Sequence, residues 1–443
     1  MRTKIGLENR GMDRQILRLT IPTVLSNISV PLLGLCDTAV AGHMGDEKFL
    51  ASIAIGSVMM SMTYWLFGFL RGGTSGLTAT AYGAGQPELM GKSLMRSSLL
   101  GLVIGLLLIS VHVPVMNLLL DVMGASTQVT ELASVYFSIC IYGAVPMMIL
   151  TALTGWFVGM QATDRAMWVN IGVSVLNAVF TLSFVYGLDM GFNGIALGTL
   201  TSQWIIIIPA IAMTLRLCRR HDIKLSINRE LFGDSDEWKK IFSVNSNLFF
   251  RSACLIAATM ILYAFSARMG DVVTGANAVI NQLFLFFSYF MDGFAYTGEA
   301  MVGRYHGARD HKMLKMSVRG LLKWTIGITM IFVIAYSLGL KEIVCLLSDS
   351  PEVSASVMSC RIWVLAIPVA GAAAFIYDGF YIGLTKTRPM LISTLCGVSL
   401  FVVLLVLLNR TQWMLWMAFT CYLALRSAIL VILFPKYDIN VKL

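Results

Sequence analysis

Charged residues disappear from this chain for more than twenty positions at a time. No Asp, Glu, Lys or Arg occurs in 49–70, 132–163, 166–188, 190–215 or 389–409. About 20 apolar residues carry a helix across the hydrocarbon core of a bilayer. Charge breaks and Gly/Pro punctuation predict twelve helical spans, near 16–41, 48–71, 93–119, 129–155, 164–187, 193–215, 241–267, 276–303, 314–340, 356–384, 389–408 and 412–434. The expected fold class is an all-α membrane protein with twelve transmembrane helices.

Composition agrees. The 443 residues are 57% hydrophobic and only 13% charged, against roughly 25% charged in soluble proteins, and mean hydropathy is +0.77. The opening MRTKIGLENRGMDR is polar and has no early apolar stretch with a cleavage site, so no signal peptide is expected. Of 33 lysines and arginines, 25 fall on the side shared by the termini and alternate loops, and five on the other. The positive-inside rule makes the rich side cytoplasmic, with both termini inside. The net charge of +9 is therefore a topology signal rather than a nucleic-acid surface. Eight scattered cysteines with no CxxC pair read as small buried apolar residues.

The chain is written twice. HMGDEKFLASIA (43–54) aligns with RMGDVVTGANAV (268–279) at an offset of 225. AYGAGQ (81–86) aligns with YHGARD (305–310), and GMQATDR (159–165) with GLTKTRP (383–389), both at 224. Six spans separate a residue from its copy, so the copies share one membrane orientation, as parallel repeats of transporters do. The expected organisation is two pseudo-symmetric six-helix lobes, 1–216 and 241–443, joined by a basic cytoplasmic linker, 217–240. The linker's basic half suits anionic lipid headgroups.

Acids inside the spans are few: Asp37, Asp292, Glu299 and Asp378. Intramembrane ionisable residues mark ion or substrate pathways, or they pair with an intramembrane base, here Arg71, Arg251 or Arg426. Asp37 has no basic residue within five positions. Its helix is expected to kink at Pro31, which offers no amide proton to the Asn27 carbonyl. Asn27, Pro31, Gly34 and Thr38 form a small polar face that Asp37 borders. Asp292 and Glu299, seven residues apart, share a helix face; with Asp378 they form either a second cation site or ion pairs with Arg251 or Arg426. Asn177 and Thr181 also share a face. The sequence contains no HExxH, GxSxG or GxxxxGK[ST], and no histidine pair at helical spacing, so no metal site or cofactor is expected.

An Asp-Thr in the outer part of the first span and Gly-x-x-x-Thr after the fourth and tenth are familiar together. With FLRGGTSGLTATAYGA (69–84), DGFAYTGEAMVGRYHGARD (292–310) and YLALRSA (422–428), they resemble the multidrug and toxin extrusion (MATE) family, most of all its DinF-type branch. The resemblance covers essentially the whole chain. It implies a V-shaped pair of six-helix lobes and export of bulky cationic or amphipathic compounds, driven by inward H⁺ or Na⁺. It places the helix-1 acid, here Asp37, in the N-lobe cavity with Asn177, Thr181 and Thr199 around it. Thr181 stands where many relatives carry a second acid, and the seventh span lacks the glutamate of the NorM-type branch. Asp378 matches the helix-10 acid of that branch's cation site only by position.

The reading is a cation-coupled antiporter of the bacterial cytoplasmic membrane in which Asp37 carries the coupling. Its partners are small organic substrates and membrane lipids, with no nucleic acid, and it works as a monomer. A flippase for lipid-linked saccharides, a membrane-embedded enzyme and a non-transporting subunit are the alternatives.

Overall fold

The computed structural model describes residues 2–44, 47–123, 126–225, 233, 235–408 and 411–434. Arg229, Arg410, Lys436 and Lys442, which enter the charge count, lie outside them. The apolar runs fold as helices throughout: in lipid each backbone polar group needs a partner within its own segment, and a helix supplies one. In chain order they are α1 (Arg2–Gly42), α2 (Glu47–Leu66), α3 (Phe69–Gly83), α4 (Pro87–Ser110), α5 (His112–Met123), α6 (Thr127–Cys140), α7 (Ala144–Gly159), α8 (Thr163–Leu182), α9 (Gly191–Arg220), α10 (Ser235–Ala267), α11 (Asp271–Gly307), α12 (His311–Leu347), α13 (Pro351–Ser359), α14 (Arg361–Gly383), α15 (Arg388–Leu407) and α16 (Gln412–Leu433). Among the described residues eleven segments are long and apolar enough to cross a membrane, including Glu47–Gly83 and Thr127–Gly159, each built from two α-helices. The expected first span, 16–41, lies within α1, which is helical without interruption through Pro31.

The repeat recurs in the backbone. Gly85 and Arg309, 224 residues apart, both adopt a left-handed conformation, with φ of 65° and 55°; Gln161 and Thr385 repeat the pattern at 58° and 57°. Helix crossings recur as well. A Cβ on Gly155 would meet the Arg71 carbonyl oxygen, and one on Gly379 would meet that of Ala295. One turn on, a Cβ on Gly159 would lie 2.7 Å from the Ser75 oxygen and one on Gly383 2.9 Å from that of Glu299. Every one of these pairs is 224 residues apart, so glycine lets the same two helices touch backbones in each half.

The chain divides into two compact units: an N-unit, Leu25–Lys240, and a C-unit, Met1–Val24 with Ile241–Leu443. The second boundary is at 240/241, so the described residues of the segment 217–240, expected as a separate linker, group with the N-unit. The first differs from the expected lobe 1–216, because residues 1–24 group with the C-unit. Side chains explain it. Thr20 Oγ1 is 2.8 Å from Thr297 Oγ1, Thr23 donates to the Gly293 carbonyl at 3.0 Å, and Trp324 Nε1 donates to Asp13 at 2.9 Å. Gly293 and Gly320 leave room for Val24 and for Ile16. Each unit has its own apolar core, around Met59, Tyr136, Phe137 and Ile195 in one and around Phe287, Phe332, Phe401 and Phe419 in the other.

Candidate cation site

Asp37 lies in the C-terminal half of α1 and is 1% exposed. Three helices deliver hydroxyls to its carboxylate. Thr199 of α9 donates to Oδ2 at 2.9 Å, Tyr136 of α6 to Oδ2 at 3.1 Å, and Thr181 of α8 to Oδ1 at 3.3 Å. Asn177 Nδ2, one turn before Thr181, donates to Thr199 Oγ1 at 2.8 Å. Gly198 makes this convergence possible: a Cβ there would lie 2.5 Å from Thr181 Oγ1 and 2.6 Å from its amide nitrogen. Only a glycine lets α9 approach α8 closely enough for the next residue, Thr199, to reach Asp37.

All the donors are neutral. Among the described residues no lysine, arginine or histidine pairs with Asp37. Oriented hydroxyl dipoles stabilise a buried carboxylate without cancelling its charge. Asn177 Oδ1 is buried and accepts no hydrogen bond, so a second oxygen in the cluster has its lone pairs unused. A negative site ringed by oxygen atoms is chemically suited to a proton or a hard monovalent cation.

The structure thus brings Asp37, Asn177, Thr181 and Thr199 together. It adds Tyr136, which lies in a charge-free stretch and carries no sequence signal that singles it out. Asn27, ten residues before Asp37 on α1, is not one of its hydrogen-bond partners.

The C-unit acids are arranged differently from a shared cation site. Asp378 of α14 is bound through Oδ2 by Arg251 of α10 and, at 3.0 Å, by Arg426 of α16. Arg426 Nη1 also donates to Tyr422 Oη at 3.1 Å. None of the Asp378 hydrogen bonds goes to Asp292 or Glu299. Glu299 is buried and Asp292 half-buried on α11. Of the two arrangements left open for these acids, ion pairing is the one seen at Asp378, where tethered guanidinium groups supply the positive charge its carboxylate requires.

A many-spanning helical protein that keeps a carboxylate buried among neutral donors falls in the class of membrane transporters. The MatE family model matches residues 22–182 and again 248–408, and the chain belongs to that family. The two matches begin 226 residues apart, close to the internal repeat. The chain is 30% identical over 429 residues to DNA damage-inducible protein F of Escherichia coli K12, covering 96% of this chain and 92% of that protein. It is 21% identical to a probable multidrug resistance protein NorM of Synechocystis, covering 87% and 86%. Its fold matches the crystal structure of MATE in the bent conformation, with a TM-score of 0.84 at 20% identity over 96% and 97% of the two chains. The protein is therefore a multi-pass membrane transporter rather than an enzyme, and transporters of this family need no cofactor.

Proposed function

We propose that this protein is a secondary antiporter that exports bulky amphipathic or cationic compounds across the bacterial cytoplasmic membrane in exchange for H⁺ or Na⁺. It works as a single chain with both termini cytoplasmic. Asp37 carries the coupling. The observation that carries this reading is a fully buried carboxylate held only by neutral donors. Its negative charge is left for a mobile cation to neutralise, and its occupancy can then bias one conformation over another. A ligand shifts a conformational equilibrium only by its differential affinity for the two states, and a site that changes charge has such a difference. The multidrug name of the Synechocystis relative supports the substrate class.

The test is efflux from proteoliposomes with proton and sodium gradients imposed separately. One gradient should drive export by the wild type. Asp37→Asn keeps size and polarity but fixes the neutral state; it should insert and fold normally and lose gradient-driven efflux by about a hundredfold or more, equivalent to roughly 2.7 kcal/mol of lost coupling. Wild-type rates and an unchanged dependence on external pH in Asp37→Asn would remove Asp37 from the mechanism.

A further inference from the structure

The hydrogen bonding between α1 and α8 does not stop at Asp37. Toward the N-terminal end of both helices, Ser174 Oγ donates to the Ser29 carbonyl oxygen at 3.2 Å. Beyond it, Asn170 Nδ2 donates to Ser26 Oγ at 2.6 Å. With Thr181 and Asp37 at 3.3 Å, the paired residues are 144, 145 and 144 positions apart. A constant positive offset means that the two helices run parallel and in register. The seam runs from Ser26 to Asp37 on α1, 11 helical steps or about 16 Å at the helical rise of roughly 1.5 Å per residue.

Small polar residues commonly join membrane helices, so the seam has a purely structural reading. Two observations go beyond it. The seam begins at Asp37, the one buried carboxylate among the described residues of the N-unit. It also changes character along its α8 side: Thr181 and Asn177 are fully buried and Ser174 and Asn170 half-buried, while their α1 partners Ser26 and Ser29 stay buried. A polar row meant only to glue helices has no need to run from an enclosed charge toward a more open end. The basic residues place that end on the cytoplasmic side.

We propose that the α1–α8 seam is the cytoplasmic release route for the cation that Asp37 binds. The inference rests on the assignment of Asp37 as the coupling site. The Thr181 hydroxyl, the Ser29 carbonyl with the Ser174 hydroxyl, and the Ser26 hydroxyl with the Asn170 amide form successive oxygen stations. They serve a hydrated proton or Na⁺ alike. When α1 eases away from α8, water enters between these groups. A proton then passes from the Asp37 carboxyl to that water, leaving the carboxylate, and no other bond changes.

The test replaces the cytoplasmic stations while leaving Asp37 and its donors intact. Asn170→Leu with Ser174→Ala makes the seam apolar; Asn170→Ser with Ser174→Thr keeps its oxygens while breaking its hydrogen-bond geometry. Ser174→Ala alone is the milder form if the apolar pair fails to fold. Inward cation flux is read in proteoliposomes by a trapped pH dye and by radioactive sodium uptake, which separate H⁺ from Na⁺. Equilibrium binding of an exported dye to the purified protein is read alongside. The apolar variant should lose flux by more than about tenfold with dye affinity within about twofold of wild type, and the oxygen-keeping variant should retain most of its flux. Wild-type flux in the apolar variant, or equal loss in both variants, overturns the route and leaves the seam as packing. Asp37→Asn, run in parallel, separates the two ideas: gradient-driven flux in that variant means that the coupling assignment has failed, whatever the seam variants do.

Discussion

Asp37 and Asp378 are both carboxylates buried within a membrane-spanning unit, and their surroundings are opposite. Asp37 receives three hydroxyl hydrogen bonds and, among the described residues, no positive charge. Asp378 is held on one oxygen by two guanidinium groups. A mobile cation reaching Asp378 would have to displace cations fixed to the chain, whereas at Asp37 it meets a net negative charge already set among dipoles. The repeat makes the contrast sharper. At the offset of its neighbouring match, 225, Asp37 corresponds to Leu262. At 224, Tyr136, Asn177, Thr181 and Thr199 correspond to Cys360, Phe401, Leu405 and Leu423. All five of these belong to the apolar core of the C-unit. In the other direction Asp378 and Arg426 correspond to Thr154 and Ser202. The two halves share helices and crossings, and each has placed its buried charge where the other has none.

The most severe way to break this comparison is to make one substitution in both units. Asp378→Asn removes the charge between Arg251 and Arg426 and strands the buried guanidinium of Arg426 and the half-buried one of Arg251. Loss of one partner from a buried ion pair costs about 3–5 kcal/mol, so unfolding in detergent should shift by that order and yield should fall. Asp37→Asn should shift unfolding by less than about 1 kcal/mol, because its neighbours are neutral and remain hydrogen-bonded. If Asp378→Asn folds like the wild type but no longer exports, the C-unit acid is a working site and the contrast fails.

Each carboxylate also has a tyrosine in its network, and the pair gives a finer test. Tyr136 donates directly to Asp37, while Tyr422 touches Asp378 only through Arg426. A hydrogen bond to a charged group contributes about 1.5–3 kcal/mol. Tyr136→Phe should therefore lower gradient-driven efflux by about tenfold or more and change its dependence on external pH. Tyr422→Phe should lower the unfolding midpoint and leave transport per folded molecule near that of the wild type. The same transport loss in both would mean that the tyrosines act on stability alone.

Much of this arrangement was legible in the sequence. The helices follow from charge-free runs, and the repeat offset from three short matches. Asp37 stood out because an uncompensated acid in an apolar run is costly. Asn177 and Thr181 share a helix face by simple periodicity. What stayed hidden depends on contacts between distant helices. Tyr136 sits 99 positions from Asp37, and nothing in an apolar stretch says which aromatic hydroxyl will find a charge. Asp378 meets Arg251 and Arg426 from 127 and 48 positions away. Pairing and a shared cation site predict the same residue types there, so only geometry separates them. The grouping of residues 1–24 with the C-unit was hidden for a related reason. It depends on Gly293 and Gly320, which lie in distant helices and carry no charge signal.

The smallest expected effect concerns what the halves share. Gly155→Ala and Gly379→Ala each drive a methyl group against a backbone oxygen of the neighbouring helix, at Arg71 in one unit and Ala295 in the other. Backbone cannot rotate aside as a side chain can, so the helices must separate. Overpacking of this kind costs about 1–3 kcal/mol, partly offset by the roughly 1 kcal/mol that alanine gains over glycine within a helix. Each variant should therefore be less stable by a similar, modest amount, read as a lowered unfolding midpoint in detergent. The double variant should show the sum, because sites without shared partners add. Gly379 directly follows Asp378 in α14, but if Asp378 serves structure alone, transport per folded molecule should change equally little in the two. A large loss from Gly155→Ala alone would mean that the N-unit crossing moves during transport while its copy does not, and the asymmetry between the units would extend from their charges to their backbones.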